Sequence, residues 1–243
     1  MLRKKLAAVI AAALMTMTAS SAFASFADSE LIRVYYDRNG AEYATDLGLV
    51  RDLTKGGAST TIAGSFGSLA TGYVAYFALD RGTSQLWATG IESTPSTILG
   101  NATGLTSLKS GTTSMYSLYN TQGGTTYSGL ASATSSYKNK LSATQGWLAN
   151  SITSRANTEA SLSSLISTGT GSVTQNLYYW FSGVTTMAQY KTGYAVASIT
   201  TLADGSTVID SKLNPTTPIP PAFLLMGSGL LGMVGLRRKA KVA

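Results

Sequence analysis

The chain has 243 residues, with 18 lysines and arginines against 11 aspartates and glutamates, and it contains neither histidine nor cysteine. The two absences exclude a Ser-His-Asp triad, a thiol nucleophile, an imidazole base, Cys/His zinc sites and disulfides. Only carboxylates, hydroxyls, lysine and tyrosine remain for chemistry, so we predict a protein that is not an enzyme and has no catalytic residues.

The N-terminus has the three parts of a secretory signal peptide. A basic stretch at residues 3–5 precedes an apolar stretch at residues 6–17, and Ala22 and Ala24 supply a small-x-small cleavage site. We therefore predict a signal peptide over residues 1–24 that signal peptidase removes, leaving a mature chain that begins at Ser25. The alternative is an anchor that is never cleaved.

Antiparallel hairpins are predicted in the exported body, residues 25–213. Runs of β-branched and aromatic residues are separated by turn signals, among them Asn39-Gly40, the strongest short signal for a hairpin. A further strand is predicted at residues 177–181. The predicted pairs are 31–36 with 41–45, 72–79 with 85–89, and 193–202 with 206–209.

The middle of the body has a different pattern. Residues 93–125 are polar, which predicts loops with short strands. Residues 127–167 lack proline and repeat large apolar side chains at rough helical spacing, which predicts one or two helices despite many poor helix formers. The predicted fold is mainly β, an antiparallel β-sandwich with one or two helices in the middle.

The body is rich in aromatic residues, with 13 tyrosines and 3 tryptophans in the whole chain. Exposed aromatic rings can stack on sugar rings, whereas rings at strand positions usually belong to the core. Both alternatives apply to the residues that we select as possible carbohydrate contacts, which are Trp87, Trp147, Tyr178, Tyr179 and Trp180.

We expect neither a hydrolase, nor a cofactor, nor a metal. A glycosidase needs two carboxylates across one sugar bond, and no pair in the sequence predicts such a site. The turn at residues 37–40 lacks the further acidic positions of a calcium loop. The G-x-G-x-x-G match at residues 227–232 has no preceding strand and lies in an apolar run, so it does not predict a dinucleotide site.

The C-terminus is the most specific part of the sequence. A proline-rich neck at residues 214–221 precedes an apolar run at 222–236 and a basic end at 237–243. A helix over the apolar run would be about 22 Å long, or about 27 Å if counted from Ile219. The second length is just enough to span a hydrocarbon core of about 30 Å if the bilayer thins slightly or the arginines snorkel. The positive-inside rule then predicts a transmembrane helix with a cytoplasmic tail.

This end resembles the PEP-CTERM sorting signal of Gram-negative bacteria, in a variant form. The resemblance rests on residues 226–232 followed by Gly235, Leu236, Arg237 and Arg238. The neck departs from the usual pattern because it contains no glutamate. The residues that correspond to the sorting motif are Pro218, Ile219, Pro220, Pro221, Arg237 and Arg238.

The resemblance implies a route and a set of partners. The protein would be exported, anchored for a time in the inner membrane, cut by an exosortase-type protease and delivered to the cell surface. Proteins with this signal are often associated with exopolysaccharide and biofilm matrix, so polysaccharide is a further expected partner.

The charge distribution excludes a nucleic-acid partner. Three of the basic residues lie in the signal peptide and four in the tail, which leaves 11 basic and 11 acidic residues between Ser25 and Leu236. A body without net charge lacks the basic face that nucleic-acid binding needs.

The sequence therefore predicts a non-enzymatic surface or matrix protein. Two alternatives remain open at this point. One is a carbohydrate-binding module that uses exposed tyrosine and tryptophan, and the other is a protein that stays permanently anchored in the membrane.

Overall fold

The structure is a computed structural model, and it describes residues 25–90, 97–100, 105–142, 148, 158–184 and 192–211. The predicted signal peptide, the proline-rich neck, the apolar run and the basic tail all lie outside these residues. So does Trp147.

Strands account for most of the regular structure in the described ranges. The helices are α1 (Val50–Leu53), α2 (Leu105–Tyr119), α3 (Tyr137–Lys140) and α4 (Ser163–Thr168), with a 3-10 turn at Asn120–Gln122. The strands are β1 (Glu30–Tyr36), β2 (Ala41–Leu49), β3 (Ser59–Ile62), β4 (Tyr73–Asp80), β5 (Gln85–Gly90), β6 (Thr97–Leu99), β7 (Thr126–Leu130), β8 (Ala160–Ser161), β9 (Ser172–Val184), β10 (Thr192–Leu202) and β11 (Thr207–Asp210).

All described strands belong to one sheet, and neighbouring strands pair antiparallel. The order is β3-β11-β10-β9-β5-β4-β1-β2-β7, with β6 on β10 and β8 on β4 as side branches. The mainly β, antiparallel prediction is confirmed. The sandwich prediction needs correction: one curled sheet stands where two stacked sheets were expected.

Long-range hydrogen bonds show how strongly the sheet curls. Four strands separate β1 from β11 in the sheet order. Yet the Tyr35 hydroxyl on β1 donates to the Gly205 carbonyl, 2.8 Å away, just before β11. The Tyr76 hydroxyl on β4 is 2.7 Å from the Thr201 hydroxyl and 2.9 Å from that of Thr207. Register shifts in the β1–β2 and β9–β10 pairs add local bending.

The curl gives the sheet a concave and a convex face, each with its own core. On the concave face, side chains of the central strands pack with α4 and with the segment after β3. On the convex face, the core includes Phe77, Tyr178 and Trp180, and helix α2 covers it. Strands such as β1 are consequently buried on both faces, which explains their nearly continuous apolar sequence.

The predicted hairpins are confirmed. β1 pairs with β2, β4 with β5, and β10 with β11. The strand predicted at 177–181 lies within the longer β9. One turn differs in detail: neither Asn39 nor Gly40 has positive φ, and Asp37 instead accepts from the Asn39 amide at 3.2 Å.

The prediction for the middle of the chain is partly wrong. Residues 105–119, expected as loop, form α2, the longest described helix. Its sequence contains many serines and threonines and a glycine, so its intrinsic propensity is low. Packing stabilises it instead, because Leu108, Met115 and Tyr119 fall on the face that is buried against the sheet. In the predicted helical region, the described residues form β7, α3, β8 and α4, while 143–147 and 149–157 lie outside the described residues.

A buried glutamate fixes this helical cover to the sheet. Glu42 on β2 is fully buried and accepts from the Tyr119 hydroxyl at 2.7 Å. It also accepts from the backbone amides of Tyr137 at 2.9 Å and Lys138 at 3.2 Å, at the start of α3. Burial raises the pKa of Glu42, and these three donors oppose that rise.

Replacement of Glu42 by alanine should destabilise the protein. The buried Tyr119 hydroxyl and Tyr137 amide and the partly buried Lys138 amide would lose their acceptor, and each unsatisfied buried donor costs about 1–3 kcal/mol. Urea denaturation should show the loss in the free energy of unfolding. Glu42→Gln is the matched control, since it keeps one acceptor oxygen and should lose less. Equal stability of Glu42→Ala and the parent chain would contradict this role.

Candidate functional site

A pocket lies where the curled sheet fails to close. The two end strands of the sheet order, β3 and β7, do not pair with each other. A cavity of about 460 Å³ lies between strands β2 and β7 and the segment that follows β3. Its walls come from Tyr43, Ala44 and Thr45 of β2, from residues 126–128 of β7, and from residues 63–65 after β3. Arg33 and Gln122 complete the lining. We call this cavity the seam pocket.

Arg33 on β1 is the one charged residue in the lining of the seam pocket. Its side chain points to the concave face, and the residue is only 2% exposed. One terminal nitrogen, Nη1, donates to the Thr207 hydroxyl at 2.9 Å and to the Gly205 carbonyl at 3.3 Å. The other, Nη2, donates to the Ala63 carbonyl at 3.1 Å and to the Thr45 hydroxyl at 3.3 Å.

Every one of these acceptors is neutral. Within the ranges that the structure describes, the single ion pair joins Arg81 and Asp28, and Arg33 pairs with no carboxylate. The Arg33 Nε atom is also buried without a hydrogen-bond partner. The Tyr35 ring centroid lies 5.0 Å from the Arg33 Cζ atom, a cation–π contact that compensates the charge only in part. A buried charge is costly unless it is paired, and no carboxylate pairs with this guanidinium.

The segment beyond β3 fits closely over this guanidinium. A β-carbon at Gly64 would lie 2.6 Å from each terminal nitrogen of Arg33 and would collide with the Gly205 carbonyl oxygen. Only glycine fits at this position. The chain can therefore pass directly over Arg33, which brings residues 63–65 into the pocket wall.

A row of side chains runs from Arg33 across the pocket. Arg33 is directly opposite Thr45 in the β1–β2 register, and Thr45 is opposite Thr126 in the β2–β7 register. Tyr43 and Ser128 form the next pair on the same face. The Tyr43 hydroxyl is 2.8 Å from that of Ser68, which holds its ring at the rim.

Comparison of the chain with models of protein families, with curated proteins and with solved structures gives no match. Inference about function therefore rests on the residues themselves.

Most of the predicted carbohydrate contacts are buried. Trp87 is 3% exposed, and its ring stacks on that of Tyr179 with centroids 4.5 Å apart in the concave core. Tyr178 and Trp180 are fully buried in the convex core. Only Tyr179 is partly exposed, and Trp147 lies outside the described residues. The core alternative therefore fits Trp87, Tyr178 and Trp180 better than contact with a sugar.

The seam pocket was not found from the sequence, although one signal pointed to it. Arg33 is the only charged residue in an otherwise apolar strand that runs from Leu31 to Tyr36. A charge at an inward position of a buried strand requires a partner. The residues that surround it come from distant parts of the chain, so the sequence did not reveal that the partners are neutral.

A second polar feature lies at the start of the β1–β2 pair. Burial raises the pKa of Glu30 to about 7, and the neighbouring Asp46 carboxylate adds to the rise. Burial also raises the pKa of Asp46. Glu30 therefore holds its proton to a higher pH than a free glutamate does.

The described part of the chain holds no group of three or more Asp or Glu residues that could bind a metal ion.

Within the same residues, no helix combines the length and apolar character needed to cross a membrane. The apolar run at 222–236 lies outside them.

Replacement of Trp87 by alanine should act on stability. Removal of a large buried aromatic side chain costs about 3–5 kcal/mol. Thermal and urea denaturation should reveal this loss. Phe181→Ala is the control, because Phe181 is 73% exposed and a surface change of this kind stays within about 0.5 kcal/mol. Unchanged stability of Trp87→Ala would show that the ring is not part of the core.

The Glu30–Asp46 pair should make stability depend on pH. In the unfolded chain Glu30 ionises near its ordinary pKa of 4.5, but in the folded protein it holds its proton up to about pH 7. The folded state therefore binds more protons in this range, and the free energy of unfolding should fall as pH rises from 4.5 through 7.

Denaturation at a series of pH values would measure this slope. Glu30→Gln should flatten it and increase stability at pH 8. Asp46→Asn should flatten it in part, because it removes one cause of the raised Glu30 pKa but leaves burial. A parent chain whose stability is constant from pH 4.5 to 8 would refute the assignment.

Proposed function

We propose that the protein is a non-enzymatic surface or extracellular-matrix protein, exported and then sorted by its C-terminal end. The observation that carries the proposal is the pair of targeting segments around a neutral body. The basic residues of the two ends account for the whole net charge of +7. The basic residues at the two ends thus act in export and in retention in the membrane, and the body between them has no net charge.

The proposed route has three steps. The signal peptide directs export, and signal peptidase cuts after Ala24. The helix at residues 222–236 then stops in the inner membrane, with Arg237 and Arg238 on the cytoplasmic side. Finally an exosortase-like enzyme cuts near Pro218 to release the body. Prolines at 218, 220 and 221 prevent the helix from extending upstream, which keeps the neck accessible to a protease.

The body supports a role in display or association. The two most buried carboxylates in the described part of the body are occupied by structural contacts. Glu42 binds the helical cover, and Glu159 accepts from the hydroxyls of Tyr36 at 2.7 Å and Tyr137 at 3.1 Å. We therefore place the activity of the protein in what the body binds.

The two alternatives stand differently. A carbohydrate-binding module built on Trp87, Tyr178 and Trp180 is not favoured, because these rings contact protein. A permanently anchored protein differs from the proposal only in whether the tail is cut. Association with exopolysaccharide remains part of the proposal, through a surface other than those rings.

Mass spectrometry of the mature protein tests the route. In the native host, the N-terminus should be Ser25 and the C-terminus should lie near residues 218–221. A C-terminus at Ala243 in all of the mature protein would favour permanent anchoring.

A pair of truncations separates sorting from folding. Removal of residues 218–243 should divert the protein to the periplasm or the medium. Removal of residues 239–243 alone should leave sorting unchanged, since Arg237 and Arg238 remain. Surface retention of the longer truncation would overturn the proposal.

A further inference from the structure

We infer that the seam pocket is a binding site for a small monocarboxylate that carries hydroxyl groups, a sugar acid being the simplest example. The inference goes beyond the proposed function and does not depend on it, because it concerns the folded body and not its sorting. It rests on three observations, which are the unpaired charge of Arg33, the position of its Nη2 atom and the chemistry of the walls.

The charge of Arg33 requires an anion. The lining of the pocket contains this one charged side chain, and within the described part of the chain no carboxylate reaches it. Neutral hydroxyls and carbonyls accept its hydrogen bonds, and the Tyr35 ring centroid lies 5.0 Å from its Cζ atom in a cation–π contact, but no anion neutralises the charge. A ligand with one negative charge would neutralise the site, whereas a phosphate dianion would leave it with excess negative charge.

The geometry shows where the anion would bind. Both acceptors of Nη2, the Thr45 hydroxyl and the Ala63 carbonyl, belong to residues of the pocket wall, so Nη2 is the guanidinium nitrogen on the pocket side. Its bond to Thr45 is long, at 3.3 Å. A carboxylate oxygen can take the place of this hydroxyl and form a shorter, charge-assisted hydrogen bond.

The walls indicate the rest of the ligand. The cavity of about 460 Å³ lies within the range of small-molecule sites and is much larger than a halide or an acetate ion. Hydroxyl groups of Thr126 and Ser128 line it and make no hydrogen bond to protein within the described residues. The Gln122 amide holds the Ser128 backbone, at 2.6 Å and 3.0 Å, and so fixes this wall. Such a lining favours a ligand body that bears hydroxyls.

The direct test would replace Arg33. That variant removes four hydrogen bonds that join β1 to Thr45, Ala63, Gly205 and Thr207, and the loss can prevent folding. Thr45 offers a better position. It lies opposite Arg33 in the register and is half-buried. Thr45→Asp would place an internal carboxylate beside the guanidinium and so occupy the anion position. Thr45→Asn has the same size without the charge and is the matched control.

Calorimetric titration of the full-length chain with D-glucuronate, D-glucose, acetate and inorganic phosphate would test the inference. We expect saturable binding of glucuronate, at least about tenfold tighter than that of the other three probes. Thr45→Asp should abolish glucuronate binding and raise the melting temperature of the unliganded protein. Thr45→Asn alters the same position without adding a charge, so it should weaken glucuronate binding less than Thr45→Asp does.

Two results would overturn the inference. One is glucuronate binding that is absent or equal to that of glucose or acetate. The other is glucuronate binding by Thr45→Asp that matches the parent chain. A polyuronate chain, added in a separate titration, distinguishes the source of the ligand: tighter binding per uronate unit than for free glucuronate identifies a polymer, and weaker binding identifies a free acid. Neither set of results depends on how the tail is processed.

Discussion

The contact between the middle of the sheet and its β3–β11 end determines the shape of this molecule. The side chains of Tyr35, Tyr76 and Arg33 extend from β1 and β4 to the start of β11. There Gly205, in the preceding turn, and Thr207, the first residue of β11, take part in their hydrogen bonds. These polar contacts lie inside an otherwise apolar face, where low dielectric strengthens them. Because they reach β11 across four intervening strands from β1 and three from β4, they convert an open sheet into a curled one.

Tyrosine hydroxyls donate to both buried carboxylates of this fold. On the convex face Tyr119 donates to Glu42, while Tyr36 and Tyr137 donate to Glu159. The backbone amide of Tyr137 also donates to Glu42, so this single residue contacts both buried carboxylates. The aromatic richness of the sequence thus serves to cover apolar surface and to satisfy buried acceptors at once. Stacking on a sugar is not needed to explain it.

Local patterns predicted the hairpins, because strand alternation and turn residues act over a few positions. They did not predict the features that depend on contacts between distant parts of the chain. Helix α2 has a sequence rich in Ser and Thr, and its stability comes from Leu108 and Tyr119 packing on a sheet that the local sequence does not specify. The choice between a sandwich and one curled sheet depends on bonds such as that of Tyr35 to Gly205. The seam pocket combines residues as distant as Arg33 and Ser128, so it became visible only in three dimensions.

The position of the seam pocket gives a ligand a role in the fold as well as in recognition. One wall is β2 and β7, and the other is the segment after β3, so the two ends of the sheet meet there without hydrogen bonding to each other. An anion held by Nη2 would contact Thr45 on one side and the Ala63 segment on the other. It would therefore supply a bridge that the strands themselves do not make. A ligand that binds only the folded state stabilises it, and here the stabilisation would act on the gap that the curl leaves open.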